Sequence, residues 1–200
     1  MNVSPPARPS LAMAGRFSLP RSPRVLLLVD FINPLRFPGA AALATPAIAA
    51  ARATQRLKER LAGRGVQVIY GNDNYGQWRS DFRELLQRCL ADDGPAGELA
   101  RRLQPGKKDL VMLKPRHSAF FATPLDLVLT QLHAKTLIVC GLATDMCVQL
   151  TAMDAAMRGY KLWVPRDCTA AEAPEAKREA LLYMQRVLKA DIRASSSARR

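Results

Sequence analysis

Two hundred residues, 48% of them hydrophobic, make one ordinary domain with enough apolar surface to build a core, which excludes wholesale disorder. No apolar run approaches the roughly 20 residues needed to cross a bilayer, so a membrane-spanning role is excluded as well. The formal charge is +13, yet Arg8, Arg16, Arg21, Arg24, Arg193, Arg199 and Arg200 lie at the two ends, where no acid accompanies them. That placement is not the clustered cationic face a nucleic-acid partner requires, so no nucleic-acid partner is expected.

The organised part begins after Pro23. Residues 1–23 read as a disordered, basic and Pro-rich extension, 24–192 as the folded domain and 193–200 as a basic flexible tail. The N-terminus lacks the continuous apolar stretch of a secretory signal, so a cytoplasmic location is expected. Residues 24–29 (Arg-Val-Leu-Leu-Leu-Val) form an apolar run ending at Asp30, the pattern of a strand buried on both faces. Residues 41–62 predict a helix closed by Gly63 and Gly65. A second strand is predicted over 66–70, followed by a loop over 71–76, and Ser80 or Asp81 can cap a helix running to Leu90.

A third strand is predicted over 109–113, stopped by Lys114-Pro115. Thr123 and Pro124 then suit the N-cap and first position of a helix. Residues 136–140 predict a fourth strand, and Thr144 or Asp145 opens a helix to about Arg158. A fifth strand over 161–164 and a helix over 174–190 complete the chain. Strands alternating with helices predict an α/β fold: a doubly wound, mostly parallel sheet flanked by helices on both faces.

In such sheets ligands bind at the carboxyl ends of the strands. There the sequence delivers Asp30, Lys114 and, through the turn Gly141-Leu142-Ala143-Thr144-Asp145-Met146, Cys147. Singly, such an Asp is usually a turn residue, such a Lys solvated and such a Cys part of the core. Three complementary types at one sheet edge point instead to chemistry. A cysteine in the first turn of a helix meets unpaired N–H groups and the helix dipole, so its pKa is expected to fall. A nearby carboxylate can take and return its proton, and a lysine can hold both anions in place. Cys89 and Cys140 read as small buried hydrophobes, and Cys168 is the one candidate to resolve an oxidised Cys147.

These segments resemble the isochorismatase-like cysteine hydrolases, the superfamily of nicotinamidase and N-carbamoylsarcosine amidohydrolase. The resemblance rests on Leu28–Asn33, Lys114–Leu125 and Gly141–Val148 and spans roughly 24–190. It implies a catalytic triad of Asp30, Lys114 and Cys147, and a cis peptide between Leu142 and Ala143. It further implies an oxyanion hole from the amides of Ala143 and Cys147, and a homo-oligomer. Nicotinamidases carry an Asp-x-His pattern and further histidines for a metal after the second strand. This chain has Asn72-Asp73-Asn74-Tyr75 there and only His117 and His133 in all, so no metal and no cofactor are expected. Asn74, Trp78, His117 and Phe120 are the candidates for the substrate pocket. The expected activity is cysteine-dependent hydrolysis of a small-molecule amide or N-carbamoyl substrate through a thioester. The alternative is a non-catalytic or redox-sensing metabolite-binding member of the same fold.

Overall fold

The computed structural model describes residues 19–79 and 81–197. Its elements run β1 (Arg24–Val29), α1 (Ala40–Leu61), β2 (Gln67–Asp73), α2 (Phe82–Leu90), α3 (Pro95–Arg102), β3 (Leu110–Lys114), α4 (Leu125–Gln131) and β4 (Thr136–Leu142). A π-helical turn (Thr144–Val148) then leads into α5 (Gln149–Met157), followed by β5 (Lys161–Trp163), β6 (Thr169–Ala170) and α6 (Pro174–Arg186). The strands are parallel in the order β3-β2-β1-β4-β5, with β6 paired to β4. The fold is thus the expected doubly wound α/β sheet.

β1 is flanked by β2 on one side and β4 on the other, so both of its edges are hydrogen-bonded. That position explains its unbroken apolar sequence, because side chains of both parities are covered. Leu26 and Leu28 join the core under α1, α2 and α3. Val25, Leu27 and Val29 enter the opposite core, beside Leu129 of α4, Ala152 of α5 and Met184 of α6. The chain winds outward from β1 to β3, then crosses back to β4. This reversal opens a crevice at the carboxyl ends of β1 and β4.

Several boundaries differ from expectation. β2 runs to Asp73, because Gly71, Asn72 and Asp73 pair in register with Met112, Leu113 and Lys114. α3 was not anticipated; Pro95 opens it at a first-turn position, where a missing N–H costs nothing. At α4 the helix begins one residue late, although the Thr123 hydroxyl still accepts from the Leu125 N–H at 3.2 Å. Asp81 caps α2 by accepting from the Glu84 N–H at 2.8 Å, whereas Ser80 and residues 1–18 lie outside the described residues.

The ordered body also reaches beyond 24–192 at both ends. Ser22 is buried, its hydroxyl bonded to the carbonyls of Arg24 and Gly65. At the other end Ser195 is buried, donating through its N–H and hydroxyl to the Asp167 carboxylate at 2.6 and 2.7 Å. The half-buried Asp167 carboxylate and the Arg60 guanidinium thus hold the chain at Ser195. Among the described residues, no helix is long and apolar enough to cross a membrane.

Candidate active site

Each strand end in the crevice contributes one reactive side chain. Asp30 follows β1 in the left-handed backbone region, with φ 54°, and its N–H donates to the Gly71 carbonyl at 3.1 Å. Its Oδ1 accepts from the Asp73 N–H at 2.7 Å, which leaves Oδ2 to meet Lys114 Nζ at 2.8 Å. Lys114 ends β3 with no solvent exposure. From there its ammonium also reaches Cys147 Sγ at 3.5 Å and Asp73 Oδ2 at 3.3 Å. The three side chains, drawn from stretches far apart in sequence, converge in one contact network.

The turn carrying Cys147 is built from small and hydroxylated residues. Gly141 passes so close to β1 that a Cβ there would lie 2.2 Å from the Val29 carbonyl oxygen. The Leu142–Ala143 peptide is cis. The chain then enters a π-helical rather than α-helical turn, with the Val148 N–H donating to the Ala143 carbonyl at 3.1 Å. Such widened turns recur at functional sites because they re-aim a side chain. Thr144 and Thr169 tie this turn to β6 through a 2.8 Å hydroxyl pair.

Burial governs the electrostatics. It lifts the Asp30 carboxyl above the ordinary 3.8, against the pull of the Lys114 ammonium. Burial alone would lower Lys114, but Asp30, Cys147 and Asp73 outweigh it and hold the ammonium protonated. The Cys147 thiol does not fall as the sequence suggested. Burial, reinforced by the negative Asp30, pushes it up to about 12 despite Lys114. The helix terminus is overridden because Cys147 is only 8% exposed and its thiol faces a carboxylate. The resting sulfur is thus a neutral thiol beside a carboxylate made more basic by burial.

The other anticipated residues divide. His117 belongs to the site, its Nδ1 3.6 Å from Cys147 Sγ. The adjoining loop is held to α5 by the Ser118–Asp154 hydrogen bond and by the Ala119 N–H donating to the Thr151 hydroxyl. Asn74 is buried, but its Oδ1 accepts from the Gly76 N–H at 2.9 Å, so it shapes the turn. Phe120 packs in the core, with the Arg158 guanidinium 4.6 Å from its ring centroid. Trp78 is 81% exposed, so no wall closes around it. Cys168 does not face Cys147: it lies with Cys140 in the core on the other face of the sheet, and its thiol donates to Asp167 Oδ1 at 3.9 Å. Among the described residues, no three His, Cys, Asp or Glu side chains gather as metal ligands would.

Asp73 was missed by the sequence reading. It continues the alternation of Ile69 and Gly71, and that parity was the available signal.

Residues 24–193 match the isochorismatase domain. The chain belongs to the isochorismatase family. An uncharacterized isochorismatase family protein of Bacillus subtilis, YaaI, is 34% identical over 172 residues, covering 86% of this chain and 94% of that protein. A ureidoacrylate amidohydrolase of Klebsiella pneumoniae is 36% identical over 100 residues, which take in 50% of this chain and 42% of that protein. Among solved structures, N-carbamoylsarcosine amidase from Thermoplasma acidophilum superposes with a TM-score of 0.65 at 26% identity, covering 88% and 99% of the two chains. The Staphylococcus aureus nicotinamidase has the same fold, with a TM-score of 0.67 at 22% identity over 86% and 98%. This isochorismatase-family hydrolase carries its reactive cluster at the switch point of the sheet, where such folds place their ligands.

Proposed function

We propose that this protein is a cysteine-dependent hydrolase of a small amide or N-carbamoyl substrate, acting through a thioester. Asp30 accepts the Sγ proton of Cys147 as the sulfur attacks the substrate carbonyl carbon. Lys114 stays protonated between the two groups and offsets the negative charge as it moves from carboxylate to sulfur. The amides of Ala143 and Cys147 face the oxygen that becomes anionic. Asp30 then returns the proton to the departing nitrogen, and the amine or ammonia leaves. A water molecule, deprotonated by Asp30, attacks the thioester carbon; the acid is released and the proton returns to sulfur.

One observation supports this reading above the others: a single buried ammonium touches both the carboxylate and the sulfur, at 2.8 and 3.5 Å. A thiol whose pKa is pushed to about 12 cannot act by prior ionisation, so a base in contact with it is required. Named relatives act on ureidoacrylate and N-carbamoylsarcosine, both of which carry a C–N bond of this class. The test is a panel of amides and N-carbamoyl compounds with ammonia release as readout, run beside Cys147→Ala. Turnover should vanish in the variant, together with the acyl adduct seen on Cys147 by mass spectrometry. Retained turnover would refute the assignment.

A further inference from the structure

Against the first turns of α6 lies a pocket of about 320 Å³, at the small end of the range that ligand sites occupy, roughly 300–1,000 Å³. Among the described residues it is lined by three cations, Arg166, Lys177 and Arg178, and by no acid. The rest of its wall is apolar, made by Pro174, Leu181, Leu182 and Ile192. Pro174, Lys177, Arg178 and Leu181 stand three and four residues apart on α6, so one face of the helix supplies them together. Glu179 of the same helix lines a different groove, with Asp145.

The pocket is held in shape from both sides. Arg166 occupies the second position of a tight turn, which the Cys168 N–H closes by donating to the Pro165 carbonyl at 2.8 Å. Ile192 is carried beside β5 because Asp191 donates to the Leu162 carbonyl at 2.9 Å and accepts from the Val164 N–H at 2.7 Å. Lys177 is tethered to β6, its Nζ donating to the Thr169 carbonyl at 2.6 Å. An ammonium has three protons to donate, so this bond leaves donors over. Burial lowers the Lys177 pKa against the pull of the Asp167 charge, as for a cation short of anions. The Asp167 carboxylate itself is taken up by Ser195.

Among the described residues, neither Arg166 nor Arg178 has an ion pair or a side-chain hydrogen bond, unlike Arg52, Arg102, Arg158 and Arg193. Two guanidinium forks and a tethered ammonium thus border an apolar wall, with no anion of this chain to take them.

We propose that this pocket is a second ligand site, separate from the crevice of Cys147, for a small amphipathic carboxylate. The carboxylate lies among Arg166, Lys177 and Arg178, and a short alkyl chain covers the apolar wall. Because β6 already holds Lys177 in place, little side-chain freedom is lost when the ligand arrives. None of the lining residues belongs to the network of Asp30, Lys114 and Cys147, so the site stands whether or not the hydrolase reading does.

The test is calorimetric titration of the full-length protein with octanoate, beside 1-octanol, which keeps the chain, and acetate, which keeps the charge. Octanoate should bind at least about tenfold more tightly than either. Arg166→Ala and Arg178→Ala should each weaken octanoate by about tenfold, and Arg→Lys should restore part of the loss. Both arginines are exposed, so their removal should leave the melting temperature in place. Protein alkylated at Cys147 with iodoacetamide, its crevice filled, should bind octanoate as tightly as untreated protein. If octanoate binds no more tightly than acetate or 1-octanol, or if the arginine variants bind it as well as the unmodified protein, the site is overturned. Loss of octanoate binding on alkylation of Cys147 would place the carboxylate in the crevice and overturn it equally.

Discussion

Lys114 Nζ stands 2.8 Å from Asp30 Oδ2, and the lysine side chain is wholly removed from solvent. Breaking such a pair costs more than forming it gains, because the abandoned charge stays buried. Lys114→Met should therefore destabilise the protein by about 3–5 kcal/mol at neutral pH. The deficit has a defined pH dependence. Burial already lifts Asp30 above 3.8, and loss of the ammonium lifts it further. A carboxyl raised in the folded state contributes stability below its unfolded pKa and loses it as pH rises through the folded value. Urea denaturation of the variant should show its smallest loss near about pH 4 and a growing loss towards neutrality. A deficit independent of pH would contradict the pairing.

Asp30→Asn separates reactivity from turnover. Asp30 is second only to burial in raising the Cys147 thiol, whereas Lys114 lowers it. Removing the carboxylate leaves the ammonium opposed only by Asp73, 3.3 Å away, so iodoacetamide should label Cys147 faster at neutral pH, by roughly tenfold for each unit the pKa falls. Turnover should nevertheless drop about 10²–10⁴-fold, since the proton acceptor is gone. Slower labelling would overturn this account.

His117 touches the sulfur but has no contact with Asp30 or Lys114 among the described hydrogen bonds. The proton route above does not need it. His117→Gln should lower kcat/KM by about tenfold or less, with the pH profile retained. A collapse equal to that of Cys147→Ala would make His117 part of the proton relay.

Gly141→Ala tests the approach of β4 to β1. The added Cβ would strike the Val29 carbonyl oxygen, a backbone atom that cannot turn aside, at 2.2 Å. The loss should reach about 3 kcal/mol, the upper end of ordinary single substitutions, measured by thermal denaturation. Activity should fall further than stability, because the strand that moves carries the turn to Cys147.

Peroxide offers a check on the cysteines. Cys168 and Cys147 lie in the two different cores, on opposite faces of the sheet, and all four cysteines are free thiols. Peptide mapping after mild oxidation should reveal no Cys147–Cys168 bridge. Its appearance would revive a thiol-switch role.

Much of this was readable in advance, for identifiable reasons. The apolar run of β1 marks a central strand because both of its faces and both of its edges are covered. Asp30, Lys114 and Cys147 stood out as chemical types at strand ends. Asp73 did not, because Gly71-Asn72-Asp73 has the composition of a loop and only pairing with β3 makes it strand. The direction of the thiol shift was also illegible. It depends on how deeply the sulfur sits and on which carboxylate faces it, neither of which is local in sequence. Phe120 and Trp78, both expected in the pocket wall, lie instead in the core and on the surface, because aromatic side chains suit core, surface and pocket alike and only tertiary packing chooses.

The alignment of Asp73 with Lys114 in the β2–β3 ladder has a genetic corollary. Side chains along a strand alternate sides, so deleting or inserting one codon within 110–113 would turn the lysine outward while leaving composition nearly unchanged. Length, more than identity, is what this stretch must conserve: a library of single-codon indels there should be inactive throughout, while many apolar exchanges at the same positions retain activity.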